Sequence, residues 1–273
     1  PRWENDPGKP FTAPDFIKRF FMKDTEEADV ILGIRIKHKS NGIEISQSHY
    51  IENVLKKFNY FDCTLVNSLM DTSEKLMPNN GQVVSQLEYS RVIGCQMYAM
   101  TCTRPYIAFE VGKLSRYTSN SGTKHWQASQ RVLNYFKKTM DYKLTYTGSP
   151  SVLEGYTDAS WIINFESSAS GWVFLLGGGV ISWASKKQTC ITGSIIESEF
   201  VALVAAGKDA KWLRNLILDI PMWSKPIAPI SICCGSVATL AKAYSQMYNE
   251  KSRHLGVRHS MIRELITNGV VSI

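Results

Sequence analysis

The sequence lacks the cysteine spacing of a zinc site, the long apolar run of a membrane helix and the apolar core of a signal peptide. Its six cysteines include no Cys-x-x-Cys pair, which excludes the common zinc modules. The most apolar stretch, residues 172–183, contains three glycines and is too short to cross a bilayer. The N-terminal residues are polar and rich in proline. We therefore expect an intracellular protein, cytoplasmic or nuclear, that is neither secreted nor inserted in a membrane.

The composition is that of a globular protein. Hydrophobic residues make up 44% of the 273 residues and charged residues 20%, so the chain can bury a core large enough for one large or two ordinary domains. The formal net charge of +7 is compatible with a phosphate-rich partner, but it is equally typical of soluble proteins that bind none.

The first half of the chain predicts a hairpin followed by helices. β-branched runs at 30–38 and 42–46 flank an Asn-Gly pair, which favours a tight turn. The next helix can be capped by Ser46 or Ser48, and residues 62–84 have the composition of a loop. Three further helical signals are a Ser-x-x-Glu capping box at 85–88, a proline at 105 and a threonine cap at 123. The predicted apolar stripes of these helices consist of Ile51, Val54, Leu55, Phe58, Ile107, Val111, Leu114, Trp126, Leu133 and Phe136.

The second half predicts a mixed α/β layer. Short strands at 153–159, 172–176 and 180–184 precede a long helix at 195–218, which Pro221 ends. A fourth strand at 230–232, helices at 237–244 and 257–266, and a strand at 270–273 complete the order β-β-β-α-β-α-α-β. The candidate core residues of the long helix are Phe200, Leu203, Val204, Trp212, Leu213 and Leu216.

Specific motifs add a family resemblance to this order. Gly-Tyr-Thr-Asp-Ala-Ser at 155–160, the glycine-rich segment 170–179, Ile-Ser-Trp-Ala-Ser at 181–185, Glu-Ser-Glu-Phe-Val-Ala at 197–202 and Trp-Leu-Arg at 212–214 resemble the ribonuclease H domain of Ty1/copia-type retrotransposon Pol polyproteins of the plant type. Segments of the first half, including Phe-Met-Lys-Asp at 21–24 and Tyr-Ser-Arg-Val-Ile-Gly at 89–94, resemble the part of the reverse transcriptase that follows its palm.

The resemblance implies a division of the chain and a fold for each part. Residues 1–15 form an irregular lead-in, and residues 16–148 correspond to the C-terminal part of the reverse transcriptase, with the palm end followed by a thumb-like or connection-like region. Residues 149–273 correspond to a ribonuclease H-like domain that is truncated at its C-terminus. The implied fold class is mixed α/β, with a ribonuclease H-like fold preceded by a hairpin and a helical region.

The resemblance also implies two-metal hydrolysis of the RNA strand of an RNA·DNA hybrid, with Mg²⁺ as cofactor. Asp158 matches the strand aspartate that bridges both metal ions, and Glu199 matches the helix glutamate. Both are therefore candidate catalytic and metal-binding residues. Glu197 also matches a family glutamate, but it lies two residues away and points to another part of the helix surface, so it ranks second.

The chain departs from the family pattern at the remaining acidic positions. Cys234 stands where the third carboxylate is expected, and a thiol is a soft ligand that suits Mg²⁺ poorly. The fourth carboxylate of the family lies beyond the strand at 270–273, so at most two of the four are expected here. The family's polymerase motif contains an Asp-Asp pair, and the sequence contains none. The sequence thus predicts a degenerate Pol fragment whose catalysis is impaired or absent.

Basic residues offer an alternative function, a non-catalytic module that binds nucleic acid or a protein. The candidate contacts to nucleic acid are Lys137, Lys138, Lys186, Lys187, Arg253 and Arg258. His254 and His259 accompany the last pair, and the same residues are equally typical of a solvated helix face. The cysteine pair 233–234 could bind a soft metal, although small, partly buried cysteines more often only pack.

Overall fold

A computed structural model describes residues 29–69, 76–148, 152–161, 168–220, 223, 225–248 and 253–273. The predicted lead-in at 1–15, the motif at 21–24 and Pro221 lie outside these residues. The described part is mixed α/β, as predicted. No helix within it is long and apolar enough to span a membrane.

In its described residues, the first half combines an antiparallel sheet with four α-helices. Strands β1 (Val30–Ile31), β2 (Ile34–Lys39), β3 (Gly42–Ser46) and β4 (Lys143–Thr147) are neighbours in that order. The helices are α1 (Ser48–Lys57), α2 (Gln86–Cys102), α3 (Ala108–Leu114) and α4 (Thr123–Lys138), with a 3₁₀ turn at Pro105–Ile107 before α3. Their apolar stripes meet in one core that contains Ile51, Leu55, Tyr89, Val111, Leu133 and Phe136.

The predicted hairpin is present, but its first strand is interrupted. β2 and β3 pair from Arg35↔Ser46 to Lys39↔Gly42, so the Asn-Gly turn joins them as expected. Leu32 and Gly33 have φ angles of 51° and 76°, so the chain reverses there and β1 folds back on β2. The continuous strand predicted over 30–38 was wrong because a β-branched run does not reveal a left-handed turn at a leucine.

Two predicted helix caps were also wrong. Gln47, not Ser46 or Ser48, occupies the N-cap of α1 and makes no capping bond with its side chain. This side chain is buried, and its carbonyl oxygen accepts a 2.7 Å hydrogen bond from Thr103 instead. Gly122 rather than Thr123 caps α4, where the ring of His125 accepts the Gly122 N–H at 3.0 Å. The predicted cap at Ser85 is confirmed by its bond from the Glu88 N–H.

The second half is a five-stranded sheet with three helices. The elements are β5 (Leu153–Ser160), β6 (Ala169–Leu176), β7 (Gly179–Lys187), α5 (Ile195–Leu218), β8 (Ile230–Cys234), α6 (Val237–Tyr244), α7 (Arg253–Thr267) and β9 (Val271–Ser272). The strand order is β7-β6-β5-β8-β9. β5, β6 and β7 are antiparallel neighbours, whereas β8 runs parallel to β5 and to β9. The predicted element order is observed.

Helix α5 packs its apolar face on this sheet and against α7. Phe200, Leu203, Val204 and Leu213 are buried in the core of the second half, as predicted. Trp212 and Leu216 were also predicted to be core residues, but they are 57% and 46% exposed. They lie on the outer side of a helix whose sequence is apolar almost all round, so periodicity alone could not assign its buried face.

The two halves contact each other directly. The N–H and the hydroxyl of Thr147 on β4 both donate to the Gly177 carbonyl in the β6–β7 turn, each at 2.8 Å. The Tyr146 hydroxyl donates to the Val180 carbonyl at 2.8 Å. The indole N–H of Trp183 on β7 donates to the Met100 carbonyl on α2 at 2.9 Å. Both sheets and the helices of the first half therefore share one interface.

Candidate active site

Strand β5 carries Asp158 to the centre of the sheet. β5 lies between β6 and β8, with Asp158 opposite Gly171 of β6 and Thr157 opposite Cys234 of β8. Alternation along the strand buries Leu153, Gly155 and Thr157 and leaves Asp158 exposed. The parallel pairing brings the end of β8 beside the carboxyl end of β5, which is where the sequence places the acidic and cysteine positions.

The two candidate glutamates in the first turns of α5, Glu197 and Glu199, have different surroundings. Ser194 caps the helix by accepting the Glu197 N–H at 3.2 Å, and the Glu197 carboxylate accepts the Gly193 N–H at 2.7 Å. This pattern resembles a capping box, except that Glu197 accepts the N–H of the residue before the cap, and it ties the Glu197 side chain to the start of the helix. Glu199 is 9% exposed and faces Asp158. The geometry agrees with the lower rank given to Glu197.

Glu199 and Asp158 form a close pair of carboxyl groups. Burial raises the pKa of Glu199, and the nearby charge of Asp158 raises this pKa further. A bond from the Ala159 backbone opposes the rise. The Oε2 atom of Glu199 is buried and has no hydrogen-bond partner among the described residues. Ionisation of Glu199 is therefore less favourable than ionisation of an exposed glutamate.

Cys234 completes the cluster as a neutral group. Burial raises the pKa of its thiol, and the nearby Glu199 and Asp158 add to the rise, while a backbone bond at Ser236 opposes it. The thiol therefore remains protonated at neutral pH. Cys233, its neighbour on β8, is exposed. Asp158, Glu199 and Cys234 thus converge from β5, α5 and β8.

These donors do not fit a two-Mg²⁺ centre. Mg²⁺ requires oxygen ligands in near-octahedral geometry, and the cluster offers two carboxyl groups, one of which has a raised pKa, and a thiol whose pKa is also raised. Within the described residues, no group of three or more His, Cys, Asp and Glu side chains is arranged to hold a metal ion. The cluster therefore keeps the positions of a carboxylate site without its full donor set.

The basic candidates lie on three separate elements, and several have structural partners. On α4, Lys137 donates to the Cys63 carbonyl at 3.1 Å and Lys138 to the Asn67 side chain at 2.5 Å, so both hold the loop before α2. On β7, the Lys186 ammonium lies 5.4 Å from the centre of the Trp172 ring, and Lys187 is exposed beside it.

On α7, Arg253 is exposed, and the Arg258 guanidinium donates to the His254 carbonyl of its own helix at 3.0 Å. His259 is 5% exposed and stacks near Phe200. His259 therefore packs in the core and does not belong to a solvated helix face. The structure does not bring the basic candidates together with Asp158.

Asp209 is a structural carboxylate that sequence reasoning missed. Its Oδ2 atom accepts hydrogen bonds from the Trp172 indole at 3.0 Å and from the Ser182 hydroxyl at 2.8 Å. It thereby ties α5 to β6 and β7 beneath the cluster. Its spacing of three and four residues from Ala206 and Leu213, both buried, was a helical signal that could have found it.

Comparison with known proteins shows relatives over most of the chain. No protein-family model matches it. Over 263 residues, 92% of the chain, it is 35% identical to the Retrovirus-related Pol polyprotein from transposon TNT 1-94 of Nicotiana tabacum, of which it spans 20%. Over 133 residues, 48% of the chain, it is 42% identical to a protein of Plasmopara viticola named Secreted RxLR effector protein 161, 94% of which is covered.

A solved structure of a foamy viral protease-reverse transcriptase in complex with double-stranded DNA is 12% identical to the chain. The superposition covers 89% of this chain and 36% of the viral one, with a TM-score of 0.48.

Proposed function

Because the chain belongs to the Ty1/copia-type retrotransposon Pol polyproteins, we propose that it is a reverse transcriptase and ribonuclease H-like region in which cleavage of RNA·DNA hybrids is impaired or lost. In this proposal, residues 16–148 form the C-terminal reverse transcriptase part and residues 149–273 the ribonuclease H-like domain. Residues 1–15 lead into the first part. The compartment proposed is intracellular.

One observation carries the proposal, namely the position of the Cys234 side chain on β8, opposite Thr157 of β5 and beside the Asp158–Glu199 pair. Two-metal hydrolysis needs several ionised oxygen ligands to hold two cations close together. A neutral sulfur at one of these positions removes both the charge and the hard donor. Asp158 and Glu199 remain the candidate catalytic and metal-binding residues, and Mg²⁺ is expected to bind them weakly.

The second candidate function is binding of nucleic acid without cleavage. It is supported by the exposed Lys186 on β7, whose ammonium lies over the Trp172 ring, because an aromatic ring with an adjacent cation suits a stacked base and its phosphate. Lys187, also exposed, is the second candidate contact on this strand. RNA·DNA hybrid is the partner expected from the family.

A labelled RNA·DNA hybrid tests both candidates. The protein is incubated with the hybrid in excess Mg²⁺, and the Asp158→Asn variant serves as control. We expect binding that weakens as salt rises and no cleavage above that of the variant. Cleavage that depends on Asp158 would contradict the loss of activity, and absence of binding at low salt would contradict the second candidate.

A further inference from the structure

A groove lies between the first half of the chain and the open face of the second sheet. Its volume is about 540 Å³, within the range of pockets that hold small molecules. Pro105, Tyr106 and Phe109 form one wall, and Tyr156, Asp158 and Trp183 belong to the other. Both walls come from elements already described, so the groove exists only where the two halves meet.

Aromatic side chains dominate the groove. Tyr156, Tyr106 and Phe109 are 46%, 38% and 36% exposed, and an apolar surface concentrated in one concave place is typical of a binding site. The Trp183 N–H donates to the Met100 carbonyl, so only the ring of Trp183 is available to a ligand in the groove.

The aromatic wall of the first half is held in place from behind. The Tyr106 hydroxyl accepts a hydrogen bond from the buried Arg104 guanidinium. The Tyr106 ring also packs edge-on against Tyr135 and Tyr142, with centroid distances of 5.9 Å and 6.0 Å. A ring fixed in this way loses little conformational entropy when a ligand binds.

The charge of the groove decides which ligand it takes. Among the described residues that line it, Asp158 is the one charged side chain, and none is Lys, Arg or His. An anionic phosphate backbone would find no partner there. A cation would gain from both the Asp158 carboxylate and the electron-rich faces of the rings.

We propose that the groove binds a small planar aromatic cation of two to four fused rings, stacked among Tyr106, Phe109, Tyr156 and Trp183 with its charge toward Asp158. This site differs from a nucleic-acid track because it lacks basic residues. It needs no catalysis by the Asp158–Glu199 pair and is independent of the proposed function.

Berberine, a planar aromatic cation whose fluorescence rises when water is excluded from its ring, is the probe. Titration of the full chain should give saturable fluorescence. Phe109→Ala should raise the dissociation constant about tenfold, since a stacked ring is lost. Asp158→Asn should raise it about two- to fivefold, since the lost ion pair is exposed. The matched control is Phe61→Ala, because Phe61 is 38% exposed and lies outside the groove.

The charge preference is tested with the anionic dye 1-anilinonaphthalene-8-sulfonate, which should not displace berberine. Circular dichroism melting of each variant checks that it folds. Tyr156→Thr, which places a β-branched residue that suits a strand at this position, provides a second groove variant if Phe109→Ala does not fold. No saturable binding, equal weakening by Phe61→Ala, or displacement by the anionic dye would overturn the proposal.

Discussion

The Glu199 side chain on α5 lies close enough to the Asp158 side chain on β5 for the charge of Asp158 to act on the Glu199 carboxyl group. The contact joins the first strand of the second half to its longest helix. Because burial and the neighbouring charge both raise the pKa of Glu199, the ionised form of Glu199 costs stability in the folded state.

Replacing Glu199 by Gln should therefore stabilise the protein at pH 7 and have no such effect below pH 4. The folded-state pKa of Glu199 lies above its unfolded value of about 4.5, so the wild type loses stability as the pH rises through the folded pKa, whereas a glutamine does not titrate. Urea unfolding across this pH range measures the difference. Glu154→Gln, an exposed change of the same type on β5, should leave the pH profile unaltered. A profile shared by both variants would contradict the assigned contact.

Cys234→Asp should convert the cluster into a Mg²⁺-dependent one. A third carboxyl group beside Asp158 and Glu199 adds repulsion without metal, and we expect the melting temperature to fall by about 3 °C, the equivalent of about 1 kcal/mol. Mg²⁺ should restore it, because a cation bound only by the folded state stabilises that state. The wild type should melt at the same temperature with and without Mg²⁺.

The matched control for this change is Cys233→Asp, on the exposed side of the same strand. It should show no Mg²⁺ response. If wild type and both variants responded equally to Mg²⁺, the ion would be acting elsewhere on the protein.

Asp209→Ala should destabilise the protein by about 2–3 kcal/mol, because two hydrogen bonds to a carboxylate are lost and the Trp172 indole keeps no partner. Ser182→Ala should cost about 1 kcal/mol. In the double variant the two losses should not add, since both act on the same Asp209 oxygen. Urea unfolding of the four proteins completes the cycle, and fully additive losses would exclude the shared acceptor.

Trp183→Phe should loosen the contact between the halves. It removes the bond to the Met100 carbonyl, at a cost of about 1 kcal/mol, while an aromatic ring remains. Hydrogen exchange of α2 should accelerate. Trp161→Phe removes a similar bond to the Thr192 carbonyl, 3.2 Å long and within the second half, and should leave α2 unchanged. Equal acceleration in the two variants would indicate global destabilisation instead.

Sequence patterns predicted most of the helices and strands because capping and turn residues nearby in the sequence mark where most of them begin and end. The bounds of α5 and α6 match the predicted ones, since Ser194 and Ser236 each cap a helix through a backbone N–H three residues later. Asp158, Glu199 and Cys234 could be grouped because a family resemblance supplied the order of their elements.

Features that depend on residues far apart in the chain could not be predicted from the sequence. Gln47 is an N-cap residue because Thr103, far along the chain, holds its side chain, and no local pattern records that bond. The exposure of Trp212 and Leu216 depends on where the sheet lies relative to α5. The groove at Tyr106 and Tyr156 forms where the two halves pack together. The periodicity of the sequence predicts helices and strands, but it does not predict how two halves pack.

The bond between Thr147 and Gly177 has a consequence for any attempt to separate the halves. Gly177 has a φ of 57°, and a Cβ atom there would lie 2.1 Å from the Thr147 carbonyl oxygen. The boundary proposed at residue 148 comes directly after Thr147. The N–H and the hydroxyl of Thr147 both donate to Gly177, which lies on the other side of this boundary. A first half expressed alone would expose the edge of β4 to water, and with it an unpaired strand on which a second copy could add. The isolated first half is therefore expected to be less soluble, because the turn at Gly177 that contacts the end of β4 belongs to the second half.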